Sequence, residues 1–459
     1  MAAAVVPLAA LARSLEDGRT TSRALVEQAL ARIADAGGEG GRAFTKVHAQ
    51  AAIAAADASD RTRKGGAVPS PLAGLPVSIK DLFDVAGDVT TAGSKVLRDR
   101  APAVADAAAV ARLRAAGAVV IGRSNMTEFA FSGIGINPHY GTPANPYDRA
   151  SRRIPGGSSS GAAVSVSDGM AAFALGTDTG GSVRIPAALC GIAGFKPTAA
   201  RVPREGAFPL STTLDSVGPL APTVACCATV FQVLAGARPQ PLERSELSGM
   251  RLGVPKGHTV ADLDVEVAEA FESALQRLSR RGAKVAEVAV PELAEAAKAN
   301  AGGGISPPEA YAIHRRCLDR DREIDPRVLE RILRGASVTA PDYIDLLATR
   351  AALAKRFSRA SYGVDALIMP TVPRIAPKIE SLEHDAEAFR VANGNMLRNT
   401  SLVNFLDGCA VSLPIQAPRA APVGLMVVGF AGDDERILSA GIAIEAALAY
   451  QGPILVDAR

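Results

Sequence analysis

Two glycine-flanked serine clusters and one lysine are the residues of this chain whose types and spacing can do chemistry. The run Gly156-Gly157-Ser158-Ser159-Ser160-Gly161 is followed by Gly180-Gly181-Ser182, and Lys80 stands upstream in Pro76-Val77-Ser78-Ile79-Lys80-Asp81. These groups can supply a nucleophile, a proton relay and a base without a well-placed histidine. A serine hydroxyl is a poor nucleophile until a neighbour takes its proton. Lysine does that near neutral pH only where burial disfavours its ammonium form. Glycine beside a reactive serine lets the backbone approach a substrate closely and leaves N–H groups free to face developing negative charge.

Such groups need rigid elements to hold them. Residues 75–79 read as a buried strand whose end would desolvate Lys80. Upstream, residues 23–36 have helical spacing, with Leu25, Ala29 and Ile33 on one face and Gly37-Gly38 as a stop. Residues 51–64 form an alanine-rich helix, after which Gly65-Gly66, Pro69 and Pro71 mark a loop. Downstream, a helix over 105–116 capped by Gly117 leads into a strand over 118–121, with further strands over 172–175 and 192–195. Beyond Gly236 come a strand over 251–255, a helix over 264–281 and a strand over 284–290. Residues 291–362 are mostly helical and more charged, and the runs containing Arg315-Arg316, residues 319–323 and Arg331 read as solvated faces. Strands return over 365–370, 410–413 and 424–428, before a last helix over 434–448. This alternation predicts one large α/β domain, a sheet covered by helices, with a helical insertion in its middle.

Taken with Gly176-Thr177-Asp178-Thr179-Gly180-Gly181-Ser182-Val183-Arg184, the serine run and Lys80 resemble the amidase signature family. The resemblance covers most of the chain. It extends through residues 20–27 and 72–81, Gly122-Arg123-Ser124-Asn125-Met126-Thr127-Glu128-Phe129, and Cys190-Gly191-Ile192-Ala193-Gly194-Phe195-Lys196-Pro197-Thr198. It implies an amidase-signature fold, a central mixed sheet with helices on both faces. The segments would be 1–65 (N-terminal helical), 66–235 (catalytic core), 236–362 (variable, mostly helical) and 363–459 (return to the core). It also implies a Ser–Ser–Lys triad, with Ser182 as nucleophile, Ser158 on a cis peptide as the bridging serine, and Lys80 as base. The oxyanion would be held by the N–H groups of Thr179, Gly180, Gly181 and Ser182, with Asp178, Arg184 and Ser159 in support.

Other readings of the same residues are weaker. Gly157-Ser158-Ser159-Ser160-Gly161 also fits the nucleophile elbow of α/β-hydrolases with Ser159 as nucleophile, but that needs an acid and then a histidine downstream. His384, in the charged stretch Glu383-His384-Asp385, is the only late histidine, and the elbow leaves Gly180-Gly181-Ser182 unexplained. No phosphate-binding Gly-x-x-x-x-Gly-Lys motif occurs. The five histidines and five cysteines lack metal-ligand spacing, so neither a metal nor a cofactor is expected. Cys190 and the adjacent Cys226-Cys227 read as core packing.

Composition narrows the partners. Across 459 residues, 50 Lys+Arg balance 47 Asp+Glu, and with 4% aromatics and no Trp there is no footprint for nucleic acid. An odd number of cysteines without a disulfide pattern suits a reducing, cytoplasmic setting. The apolar N-terminus lacks a positive leader region and continues as a surface helix to Gly18, and no stretch is long and apolar enough to span a membrane. The expected partner is a small-molecule amide, with a homodimer as an open assembly.

Substrate choice is expected in the variable segments 125–129, 134–139, 309–315 and 395–405, with Met126, Tyr311, His314 and Arg315 as candidate contacts; an arginine beside Tyr311 and His314 would favour small acidic amides. The function implied is a stand-alone amidase. One competing reading is the glutaminase component (the A chain) of a tRNA-dependent amidotransferase, whose Ala-Arg-Tyr-Asp-Gly stretch this chain lacks. Another is a silent binding or scaffold relative, which the intact Lys80, Ser158 and Ser182 oppose.

Overall fold

Short apolar runs separated by glycine and proline become eleven strands of one sheet among the described residues. The computed structural model describes residues 5–360 and 362–448; residues 1–4 of the apolar N-terminus, and the end of the 363–459 segment beyond 448, lie outside them. The strands are β1 (Phe44–Val47), β2 (Pro76–Lys80), β3 (Val119–Ser124), β4 (Phe173–Asp178), β5 (Ala193–Lys196), β6 (Ser216–Ala221), β7 (Arg251–Pro255), β8 (Lys284–Val288), β9 (Ala366–Pro370), β10 (Cys409–Pro414) and β11 (Gly424–Gly429). Their spatial order is β1-β3-β2-β4-β6-β5-β10-β11-β9-β7-β8. The sheet is mixed: β2 runs parallel to β3 and β4, and β7 to β8 and β9, while β10 is antiparallel to both β5 and β11.

Alternation along the strands feeds two separate cores, because successive side chains point to opposite faces. On β4, Phe173 and Leu175 join the largest apolar cluster while Ala174 joins another with Val119 and Ile121 of β3. The first face carries the helices Val224–Leu234, which includes the buried Cys226 and Cys227, and Asp434–Leu448. The helix Ser160–Ser167 packs on the second; it is buried along its whole length, and Ser165 Oγ meets Ser78 Oγ of β2 at 2.8 Å.

Two strands, β1 and β6, go beyond the sequence-based expectation. β6 carries Gly218-Pro219, which interrupts the apolar pattern, and a Cβ at residue 218 would stand 2.1 Å from the Phe195 carbonyl oxygen. Glycine there is a packing requirement that a sequence scan reads as a break. The middle region contributes β7 and β8 to the sheet edge, and its helices Pro291–Ala299, Ser306–His314 and Pro326–Leu333 contribute residues to the cavity described next.

Candidate active site

Lys80 ends β2, and Asp178 ends the adjacent parallel strand β4. Parallel pairing brings both carboxyl ends to one edge of the sheet, where open α/β sheets take their ligands. Lys80 is 0% exposed, and its Nζ lies 2.7 Å from Ser158 Oγ, 2.9 Å from Thr177 Oγ1 and 3.5 Å from the Thr177 carbonyl. Burial lowers its proton affinity, against the pull of Asp215 and Asp178, to a pKa of about 7. Desolvation outweighs two carboxylates because the ammonium loses its water on every side.

Ser158 follows a cis Gly157–Ser158 bond, and its carbonyl accepts from Thr127 N at 3.0 Å. Ser159 is fully buried, with Oγ donating to the Thr177 carbonyl at 3.5 Å, and His384 is exposed at the surface, so the hydrolase elbow lacks its histidine.

The segment between β4 and the helix Arg184–Cys190 presents a row of backbone donors. Among the described residues, none of the N–H groups of Thr179, Gly180, Gly181 and Ser182 donates a hydrogen bond. Gly181 takes φ 135°, and a Cβ there would lie 2.2 Å from Thr400 Oγ1, so the loop passes where only glycine fits. Asp178 braces it, accepting from Val183 N at 3.1 Å and Arg184 N at 3.3 Å and pairing with Arg184 Nη2 at 2.8 Å. Burial alone would raise this carboxyl; the Arg184 guanidinium and further donors bring it down to about 2. Arg184 also donates to the Thr400 carbonyl and Asn404 Oδ1, while Thr400 Oγ1 donates to the Gly180 carbonyl.

Ser182 and this loop open onto a cavity of about 450 Å³. Ser182 Oγ has no hydrogen-bond partner among the described residues, and none joins it to Ser158 Oγ. The helices Ser306–His314, Pro326–Leu333 and Ala386–Leu397 contribute the opposite wall.

Thr177, Asp215, Thr400 and Asn404 join the site without having been given a role from the sequence. Asp215 accepts from Thr179 Oγ1 and from the N–H groups of Leu210 and Ser211, and burial raises its carboxyl to about 6. A lone acid in the Ser/Thr-rich run 211–216, just before a strand, is the signal that could have found it. Thr400 and Asn404 fall in the segment 395–405 expected to choose the substrate, which does line the cavity, but their packing behind the Ser182 loop has no local signal.

The four substrate contacts expected from sequence are not among the residues lining the cavity. Met126 is wholly in the core. His314 is buried with its ring 4.1 Å from Phe129 and 5.6 Å from Phe208, and burial lowers its pKa to about 4. Tyr311 packs on the same core, and Arg315 is exposed. The helix Ser306–His314 turns Ser306 and Pro307 to the cavity, and the Tyr311 and His314 side inward. Conversely Arg331, read as part of a solvated face, lines the cavity.

Comparison with known proteins agrees with this geometry. The Amidase family profile matches residues 24–438. The chain is 37% identical over 414 residues to 2-amino-5-chloromuconic acid deaminase of Comamonas testosteroni, covering 89% of this chain and 88% of that protein. It is 36% identical over 469 residues to the A component of the glutamyl-tRNA(Gln) amidotransferase of Roseiflexus castenholzii, covering 94% and 93%. A crystal structure of an amidase superposes with a TM-score of 0.86 at 37% identity, over 96% of this chain and 99% of that one. With profile, relatives and fold in agreement over nearly its full length, the chain belongs to the amidase family and is an amidohydrolase acting on C–N bonds.

Proposed function

We propose that this chain hydrolyses a small carboxylic amide through an acyl-enzyme on Ser182. The observation that carries the reading is the contact of Lys80 Nζ with Ser158 Oγ, 2.7 Å apart in a fully buried pocket beside four unengaged N–H groups. With a pKa of about 7, a large share of Lys80 is neutral at neutral pH. Neutral Lys80 donates its two N–H bonds to Thr177 Oγ1 and the Thr177 carbonyl, and turns its lone pair to the Ser158 hydroxyl.

Lys80 takes the Ser158 proton, Ser158 takes that of Ser182, and Ser182 Oγ adds to the amide carbonyl carbon. The oxyanion accepts from the N–H groups of residues 179–182, where losing one donor costs about 2.7–4 kcal/mol of barrier. The C–N bond breaks as the relay returns its proton to the nitrogen, which leaves as ammonia or an amine. Water, activated by the same relay, then releases the carboxylate. Rotation of two hydroxyls about χ1 closes the Ser182–Ser158 contact once substrate is bound, since catalytic hydrogen bonds tighten in the Michaelis complex.

The test is ammonia release from aliphatic, aromatic, ureido and carboxylate-bearing primary amides by the wild-type chain and Ser182→Ala. Release that the substitution abolishes supports the reading; release that survives it rules out Ser182 as nucleophile. The identity to an amidotransferase component favours a second reading, a glutaminase working within a complex. Glutamine hydrolysis that appears only with partner subunits and charged tRNA would select it.

A further inference from the structure

The cavity beside Ser182 is strongly cationic. Arg327, Arg331, Arg334, Arg390 and Arg398 line it, against a single acid, Glu330, which is exposed and accepts from Arg334 Nη2 at 2.6 Å. Three of the five have an acid of their own: Arg327 holds Asp325 at 2.9 Å, Arg334 holds Glu330, and Arg390 holds Glu387.

Arg331 differs. Among the described residues its guanidinium makes no hydrogen bond and no ion pair, and its Nε is buried without a partner. Its Cζ lies 4.5 Å from the centroid of the Phe131 ring, a cation–π contact that leaves its donors unsatisfied. Arg331 is half-buried: Nε is withdrawn from water without a partner, which is costly, while Nη1 and Nη2 keep access to the cavity and can take an anion there. A second unfilled pair faces the same cavity: Arg398 spends Nη1 and Nη2 on the carbonyls of Asp262 and Ala261, leaving Nε buried and unpartnered, as is Nε2 of the neighbouring His258. Among the described residues the cavity thus offers donors and positive charge, and its one lining acid, Glu330, is already held by Arg334.

We infer that Arg331 anchors a carboxylate of the substrate, and that the cavity selects an amide bearing carboxylate charge and no free amino group, such as the monoamide of a dicarboxylic acid. The inference rests on the amidase reading of the same site. It separates this chain from a glutamine-using enzyme, because the α-ammonium of glutamine would meet five arginines and one acid, Glu330, that Arg334 already holds. A guanidinium holds a carboxylate by two parallel hydrogen bonds, which fixes orientation as well as charge. The scissile amide at the other end of the chain is thereby directed toward Ser182.

Glutaramate and glutamine share one carbon chain and differ only in the α-amino group, so they make the test. Wild type is expected to hydrolyse glutaramate with a kcat/KM about 100-fold above that for glutamine or for neutral butyramide. In Arg331→Met the ratio of glutaramate to butyramide is expected to collapse toward one, mostly through KM, and Arg331→Lys keeps an intermediate ratio. A preference for glutamine in wild type, or equal losses for both amides in Arg331→Met, overturns the inference. Calorimetric titration of glutarate into the Ser182→Ala chain separates this from failure of the amidase reading. Binding that Arg331→Met abolishes upholds the anion site even where no amide is cleaved, and absence of binding overturns it.

Discussion

The two walls of the cavity are built on different principles. On the Ser182 wall the donors are backbone N–H groups, fixed between the end of β4 and the helix Arg184–Cys190 and tied from behind by Asp178, Arg184 and Thr400. On the opposite wall the donors are arginine side chains on the helices Pro326–Leu333 and Ala386–Leu397, steered by rings and acids such as Phe131 and Asp325. Main-chain donors cannot be altered by replacing one residue without rebuilding the loop, whereas each arginine can be changed by itself. In the proposed mechanism the chemistry is therefore held on the part that resists substitution, and selectivity on the part that tolerates it.

The sharpest way to break the contrast is at the Ser182 wall. Ser182→Ala and Lys80→Ala are each expected to lower kcat/KM for the best amide by about 10⁴–10⁶-fold, read from ammonia release. Loss of the Asp178–Arg184 clamp should show as stability. Arg184→Met leaves a fully buried carboxylate uncompensated, a cost of about 3–5 kcal/mol in thermal or denaturant unfolding. Asp178→Asn combined with Arg184→Met should recover part of it; equal unfolding of wild type and the single variant would mean the loop needs no clamp.

The pH dependence probes the base itself. In the proposed mechanism Lys80 works unprotonated, and with its folded pKa lowered to about 7, kcat/KM should be full above that pH and fall about tenfold per unit below it. Asp215 and Asp178 both act to raise the Lys80 pKa, so Asp215→Asn is expected to move the acid limb to lower pH, which a kcat/KM profile of the two proteins would reveal. A limb that stays in place would assign it to another group. The smallest effect belongs to Arg315→Ala, an exposed change outside the cavity: stability within about 0.5 kcal/mol of wild type and unchanged amide preference.

The same contrast between walls governs what is legible in the chain alone. Lys80, Ser158 and Ser182 stand out because glycine-rich serine runs and a lysine closing an apolar strand are local patterns, and β2, β7 and the helix Asp434–Leu448 fall close to their expected limits. The remote partners Thr400 and Asn404 meet Arg184 across more than two hundred residues, and no spacing rule connects them. Arg331 reads as a solvated charge because its neighbours in sequence, Glu330 and Arg334, are indeed exposed; only packing distinguishes the residue that turns inward. His314 departs in the opposite direction: a polar residue at helical spacing is in fact a core ring against Phe129.

The place of β10 and β11 carries a consequence for how the molecule comes into being. They lie between β5 and β9 in the sheet yet come from residues 409–429, behind every other strand among the described residues. A ribosome releasing this polypeptide would leave the sheet in two halves until they emerge. Thr400 and Asn404, which tie down Arg184 and Gly180, arrive just ahead of them. The site is thus fastened late: a growing chain already carries Lys80, Ser158 and Ser182, but the loop proposed to face the oxyanion gains these fastenings only after residue 404 has been made.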